Sequence, residues 1–365
     1  MWEAANQLGV AAGTPAELLT ALLSAPRRGA RVELSGDDPE TAELARDLRT
    51  LLHLEVTLHP LPAPEPGDID LSDPEAVCAA DPVRVTRAYE ASPGDHGGLR
   101  EAWLRAGQAL VRHGQHPAGR ALALLAALPE GADPRLAPAL AARAEAEGTP
   151  WEVTGTRRAS ASVLTTCGDR LVVDEDPRVR AVACLADGDT ELRLDERGRL
   201  RPTGPVPRLV RAVAATLATH PASALAAAGD TVVTGDRMGS LHAFSLAGLH
   251  QSAAHSGRVT ALAAAGPGPR VYSGGVDGTV RTWDPPRGAP AGRPLVRRGC
   301  PVVAVHAGPG GVAVAWADGL AELHRPGAAE PLTFRPGPPL RALALHPDGT
   351  LTVATPETLI HLRPA

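Results

Sequence analysis

Residues 255–284 restrict most strongly what this chain can fold into. They read H-S-G-R-V-T-A-L-A-A-A-G-P-G-P-R-V-Y-S-G-G-V-D-G-T-V-R-T-W-D. Val259, Ala261 and Ala263 alternate with Thr260, Leu262 and Ala264, as a strand buried on both faces allows. Gly266-Pro267-Gly268-Pro269 predicts a turn. Val271–Ser273 and Thr279–Trp283 are β-prone runs, and the Asp277-Gly278 pair between them is a strong hairpin signal.

The same stretch resembles one WD40 repeat, the four-stranded blade of a β-propeller. The resemblance rests on His255 as the leading histidine, Ser273-Gly274 before the turn, Asp277-Gly278 in it, and the closing Trp283-Asp284 pair. It implies that the Trp283 indole donates to the Ser273 hydroxyl and that His255 bridges Ser273 to Asp277. Each buried polar group then supplies the next one's partner. It also implies a binding platform whose partner is another protein. Ser273, His255 and Asp277 are the residue types of a hydrolase triad. A triad, however, is recognised by geometry and an exposed nucleophile, and no G-x-S-x-G elbow surrounds Ser273. No catalytic residue is assigned.

Weaker copies flank this repeat. Val233 to Phe244 aligns with Tyr272 to Trp283, with Thr234 for Ser273, Met238 for the turn Asp and Phe244 for the Trp. Val302 to Arg325 keeps the Ala317-Asp318-Gly319 turn and puts His324 in the Trp place. Leu340 to Arg363 carries His346-Pro347-Asp348-Gly349 and no Trp. Upstream, strands over 162–166, 170–173, 179–185 and 191–194 make one more degenerate blade. About 215 residues at roughly 43 per blade give about five blades. Residues 151–155 are the expected lender of the closing outer strand, which would remove an unpaired sheet edge.

The first 149 residues have a different character. Thr14-Pro15-Ala16-Glu17 is a capping-box signature that opens a helix to about Ser24. A strand over 30–35, a helix from Asp38-Pro39 through Leu52 and a strand over 54–58 form a β-α-β unit, followed by a Pro- and Asp-rich connection over 60–73. Helices are expected over 98–113, 117–128 and 134–148, with Trp103 as a core anchor. The fold class is therefore multidomain: a largely helical α/β domain over 1–149 and an all-β WD40-like propeller over 150–365.

Composition closes several routes to chemistry. All 36 basic residues are arginine, and Asn6 is the only asparagine. A GC-rich genome gives such a bias; the WD40 resemblance, not the composition, implies a place in a multidomain signalling or conflict protein of a GC-rich bacterium. Without lysine there is no P-loop lysine, Schiff-base lysine or kinase strand lysine. The net charge of -5 offers no general attraction for nucleic acid or anionic membrane. Cys78, Cys167, Cys184 and Cys300 have no zinc spacing and read as small buried hydrophobes. His113-x-x-His116 reads as an interhelical turn, and no cofactor or metal is expected. No stretch approaches the roughly 20 apolar residues of a membrane span, and the N-terminus lacks a basic region followed by an apolar one. A cytoplasmic location is the expectation.

These readings point to a non-catalytic interaction scaffold or adaptor that binds a protein. The resemblance implies that residues at the start of each blade's first strand and just before its turn Asp point to one face, so Arg237, Arg258, Val276, Trp316, Ala317 and Arg341 are the expected partner-binding set. Arginine and tryptophan are the types most enriched at interface hot spots. An enzyme or small-molecule sensor, sited in the β-α-β unit or the propeller channel, is the competing class.

Overall fold

A computed structural model describes residues 1–24, 29–36, 38–60, 69–265, 270–288 and 292–365. The predicted 266–269 turn, and most of the Pro-rich connection, lie outside the described residues. The chain divides into two compact units, Met1–Val153 with Arg335–Pro339 and Ala365, and Thr154–Phe334 with Leu340–Pro364.

In the N-terminal unit the local signals act as their chemistry dictates. Helix Pro15–Ser24 opens with Thr14 Oγ1 accepting from Glu17 N–H at 3.2 Å, while Glu17 Oε2 accepts from Gly13 N–H at 2.8 Å. Strands Arg31–Ser35 and Glu55–His59 pair in parallel, Arg31 opposite Glu55, around helix Pro39–Leu52. Leu44 and Leu48 of that helix share a core with Val32 and Leu34, which is the expected β-α-β unit. Helices Leu99–Leu110, Pro117–Ala127 and Leu136–Ala146 follow. Two further helices, Pro74–Ala79 and Pro82–Ala91, were not expected, yet each begins with an Asp-Pro pair. Asp73 and Asp81 cap the next helical N–H groups at 3.0 and 2.9 Å, with proline at the first helical position. Trp103 is fully buried, and its indole donates to Thr86 Oγ1 at 2.9 Å. Gly107 admits the Trp2 ring, since a Cβ there would lie 2.1 Å from it.

Among the described residues the C-terminal unit is a five-blade propeller with an extra two-stranded hairpin, Val163–Cys167 with Arg170–Asp174, filling one further place in the ring. The first blade is Val179–Cys184, Glu191–Asp195 and Leu200–Thr203. The second is Ala224–Ala228, Thr231–Gly235, Ser240–Ser245 and Gly248–Ala253. The third is Val259–Ala265, Arg270–Gly275, Thr279–Trp283 and Val296–Arg297. The fourth is Val302–Gly308, Gly311–Trp316, Ala321–His324 and Leu332–Phe334. The fifth is Ala342–Leu345, Leu351–Ala354, Thr358–Pro364 and, lent from far upstream, Trp151–Arg158. The strand expected to close the ring is therefore the one that does so. The first strand of each sheet is innermost and lies beside the next, and that of the fifth blade lies beside the hairpin.

Two expectations need correction. The strands between 162 and 194 do not make one blade. They divide between the hairpin and the first blade, because Leu200–Thr203 pairs with Glu191–Asp195 as a third strand. An unpredicted helix, Arg208–Thr219, then buries Val210, Val213 and Leu217 against Leu192, Leu194 and Leu200. The cysteines are not all inert hydrophobes. Cys167 and Cys184 form a disulfide with Cα atoms 5.7 Å apart, joining the hairpin to the first blade. Only the adjacency of the two inner strands brings them together, which their spacing of 17 residues could not reveal. Cys78 and Cys300 are free and buried. No helix among the described residues is long and apolar enough to cross a membrane.

Candidate functional site

The third blade holds the polar network implied by its sequence, with one difference. His255 Nε2 lies 2.8 Å from Ser273 Oγ, and His255 Nδ1 lies 3.0 Å from Asp277 Oδ1. Asp277 Oδ1 also accepts from Thr279 Oγ1 at 2.8 Å, and its Oδ2 accepts from Ser256 N–H at 3.1 Å. Burial pulls the His255 pKa down despite the nearby Asp277. Burial works to raise the Asp277 carboxyl, but hydrogen bonds from Thr279, His255 and Ser256 outweigh it and hold its pKa low. A neutral imidazole thus donates through Nδ1 and accepts the Ser273 proton through Nε2. Gly278, at φ 69°, makes the turn; a Cβ there would lie 2.1 Å from the Arg298 carbonyl oxygen.

The difference is Trp283. Its indole N–H donates to the Gly288 carbonyl, not to Ser273. The short 3-10 turn Pro285–Arg287 follows the strand and ends at Gly288. Ser273, His255 and Asp277 are together, then, while Trp283 is buried apart in a different bond. Ser273 is 0% exposed within its strand, so the triad-like geometry encloses an oxygen no substrate can reach.

The fourth blade replaces this network with another, which sequence reasoning missed. Trp316 is 0% exposed, which corrects its assignment as a partner-binding residue: it sits on the second strand of the blade, between neighbouring sheets. Its indole donates to Glu322 Oε2 at 3.0 Å, and His324 Nε2 lies 3.1 Å from the same oxygen. Arg298 stacks over the Trp316 ring at 5.5 Å, pairs with Asp318 at 2.7 Å and approaches Glu322 at 3.5 Å. Burial alone would raise the Glu322 carboxyl, but His324, Trp316 and Arg298 hold it below the usual range. The sequence signal was present in the alternation of Glu322 and His324 across a turn from Trp316. The fifth blade uses a third solution, with buried Thr352 Oγ1 between His346 Nε2 at 3.0 Å and His361 Nδ1 at 2.9 Å.

Of the other expected partner-binding residues, Arg258 and Arg341 precede inner strands, and Arg237, Val276 and Ala317 lie in the turns after the second strands. Arg237, Arg258 and Arg341 are exposed, Val276 is 42% exposed, and Ala317 is half-buried. Met238, beside Arg237, is 81% exposed. Arg180, the second residue of the first blade's inner strand, belongs to the same set and was not singled out. Its place after Val179 is that of Thr260 after Val259, one residue further along the inner strand than Arg258.

A central cavity of about 160 Å³ runs between the inner strands. Its walls are mainly small or apolar, including Ala183, Ala226, Ala263 and Ala304, with Arg180 and Arg341 at one end. His306 lines the other, where burial lowers its pKa to about 4. Its Nδ1 accepts from Leu345 N–H at 3.2 Å, and its Nε2 lies 3.4 Å from Thr166 Oγ1. Among the described residues no group of three His, Cys, Asp or Glu side chains is placed to hold a metal ion.

No protein-family model matches the chain, and no curated protein matches it. Among solved structures, the chain is similar to the computationally designed Ika8 protein, at 17% identity and a TM-score of 0.38, over 51% of this chain. The match spans 58% of the designed protein's length.

Proposed function

We propose that this chain is a non-catalytic protein-interaction scaffold or adaptor whose WD40-like propeller is the binding platform. Propellers commonly serve in that way, though fold alone does not fix function. The observation that carries the reading is that Ser273, His255 and Asp277 spend their hydrogen bonds on one another inside the sheet. The exposed chemistry lies instead at inner-strand starts and the turns after second strands, on Arg237, Arg258, Val276 and Arg341, with Met238 beside Arg237. The partner is a protein, not nucleic acid, because the chain carries a net charge of -5 and only two Tyr and two Phe for base stacking. A cytoplasmic location belongs to the same proposal. The Cys167–Cys184 bond bears against it, since structural disulfides persist mainly in oxidising compartments.

Capture from native extract tests the platform. Arg258→Glu and Val276→Asp are each expected to reduce partner recovery while the melting temperature stays within about 2 °C of the parent. Undiminished recovery by both variants removes this face from the proposal. Alkylation of thiols in freshly lysed cells tests the compartment: a cytoplasmic protein gives reduced Cys167 and Cys184.

A further inference from the structure

We propose that the channel mouth formed by Arg180, Arg237, Arg258 and Arg341 is a binding site for a small organic anion. The ligand carries a phosphate or carboxylate head at the arginines and a short apolar stem down the channel.

The placement of the four side chains follows from the backbone. Arg180 and Arg341 line the central cavity itself. Arg258 immediately precedes the inner strand of the third blade. Arg237 lies in the adjoining turn, which is fixed to that strand because Val259 N–H donates to the Asp236 carbonyl at 3.0 Å. Burial, together with the positive charges of Arg180 and Arg237, holds the Arg258 guanidinium below its ordinary value.

None of the four makes an ion pair or a side-chain hydrogen bond among the described residues. Elsewhere on the propeller, Arg193, Arg201, Arg287 and Arg298 all face carboxylates. Two acids in the adjoining turns are already engaged. Asp236 Oδ1 accepts from Met238 and Ser240 N–H at 2.8 and 2.9 Å, and Asp277 serves His255 and Thr279. In a chain of net charge -5, unpaired cations gathered at a concave opening focus a positive field on it. An anion there relieves their mutual repulsion and accepts forked guanidinium hydrogen bonds.

The cavity decides the ligand's size and tail. No Asp or Glu is among its lining residues, and the wall beyond the arginines is mostly alanine, valine and leucine, interrupted by Thr165, Thr166, Thr260 and His306. Its volume of about 160 Å³ lies below the roughly 300–1,000 Å³ of drug-sized pockets. A head group and a few carbons fill it. The site does not depend on the channel face also binding a protein.

Calorimetric titration of the full chain with n-butyl phosphate, butyrate, inorganic phosphate and n-butanol tests the proposal. Butyl phosphate or butyrate is expected to bind, more tightly than inorganic phosphate and more weakly as salt is raised, and butanol is not. Arg180→Gln and Arg341→Gln should each weaken binding by roughly tenfold or more, whereas Arg287→Gln, exposed in the turn after Trp283 at the opposite end of the third blade, should not. Failure of both organic anions to bind overturns the site, as does binding that survives both arginine changes. Inorganic phosphate binding as tightly as butyl phosphate overturns the role of the channel. Binding of a glutamate-rich hexapeptide, with no response to the small anions, replaces the site with a protein surface. Undiminished partner capture by Arg258→Glu and Val276→Asp, with anion binding by the parent protein, leaves this proposal standing and the platform alone in error.

Discussion

The indole of Trp316 donates to the carboxylate of Glu322 at 3.0 Å, and both side chains are buried. An aromatic that would suit a partner's surface instead anchors its own blade, held by the one acid that also meets Arg298 and His324. Trp316→Ala is therefore expected to destabilise the propeller by roughly 3–5 kcal/mol through the cavity it leaves. Trp316→Phe should cost about 1–3 kcal/mol by leaving Glu322 short of a donor. Chemical denaturation measures both, and a Trp316→Ala protein of parental stability would refute the burial.

The third blade predicts a pattern of coupling. Ser273→Ala should cost about 1–3 kcal/mol, because the buried His255 Nε2 loses its donor. Since Trp283 bonds Gly288, the Ser273→Ala and Trp283→Phe effects should add to within about 0.5 kcal/mol in a double-mutant cycle. Ser273→Ala and Asp277→Asn, joined through His255, should not add. Strong coupling between Ser273 and Trp283 would restore the bond that the family resemblance implies.

His306 gives the fold an acid sensitivity. Its pKa is lowered from 6.5 to about 4 by burial and by His346. Between those values the unfolded chain binds a proton that the folded chain does not, so stability falls as pH drops from about 6.5 towards 4, by at most about 1.4 kcal/mol per pH unit. Below about 4 this contribution is exhausted. Urea titrations at stepped pH should show a shallower slope over that window in His306→Gln, and an unchanged slope would mean another group carries it.

The Cys167–Cys184 bond closes a loop across a sequence separation of 17 residues, for which loss of unfolded-state entropy predicts about 3 kcal/mol of stabilisation. Reductant should lower the melting temperature of the parent protein. It should leave a Cys167→Ser/Cys184→Ser variant, already destabilised, where it was.

Ring closure is testable by truncation. A fragment of residues 151–365 should keep a cooperative β-sheet melt by circular dichroism, and residues 161–365 should not. The second cut removes Trp151–Arg158 and leaves Thr358–Pro364 as an open edge. Equal melts would show that this strand is dispensable.

The parts of the molecule legible in the sequence are those whose signals are local. The Asp277-Gly278 turn, the Thr14 capping box and the β-α-β unit each follow from residues within a few positions of one another. The partners that escaped are non-local. Gly288 takes the Trp283 indole because of a turn that follows the strand, and Cys167 meets Cys184 only through neighbouring sheets. Trp316 read as exposed because it stands two residues before Asp318-Gly319. What buries it is a neighbouring sheet and a carboxylate on the returning strand. Helix Arg208–Thr219 had apolar spacing at Val210, Val213 and Leu217, but the expectation of uninterrupted strands hid it.

The borrowed outer strand also fixes when the ring can become whole. Thr154 Oγ1 reaches the His361 carbonyl, 207 residues away along the chain. Contacts of such separation demand closure of a very long loop before they return any stabilisation, and they slow folding. As the chain leaves the ribosome, residues 151–158 emerge early and must wait unpaired until residues 358–364 arrive. The first blades can zip into sheets during that interval, but the propeller can lock only once residues 358–364 have been made. Until then its last edge is open to any other strand that meets it first.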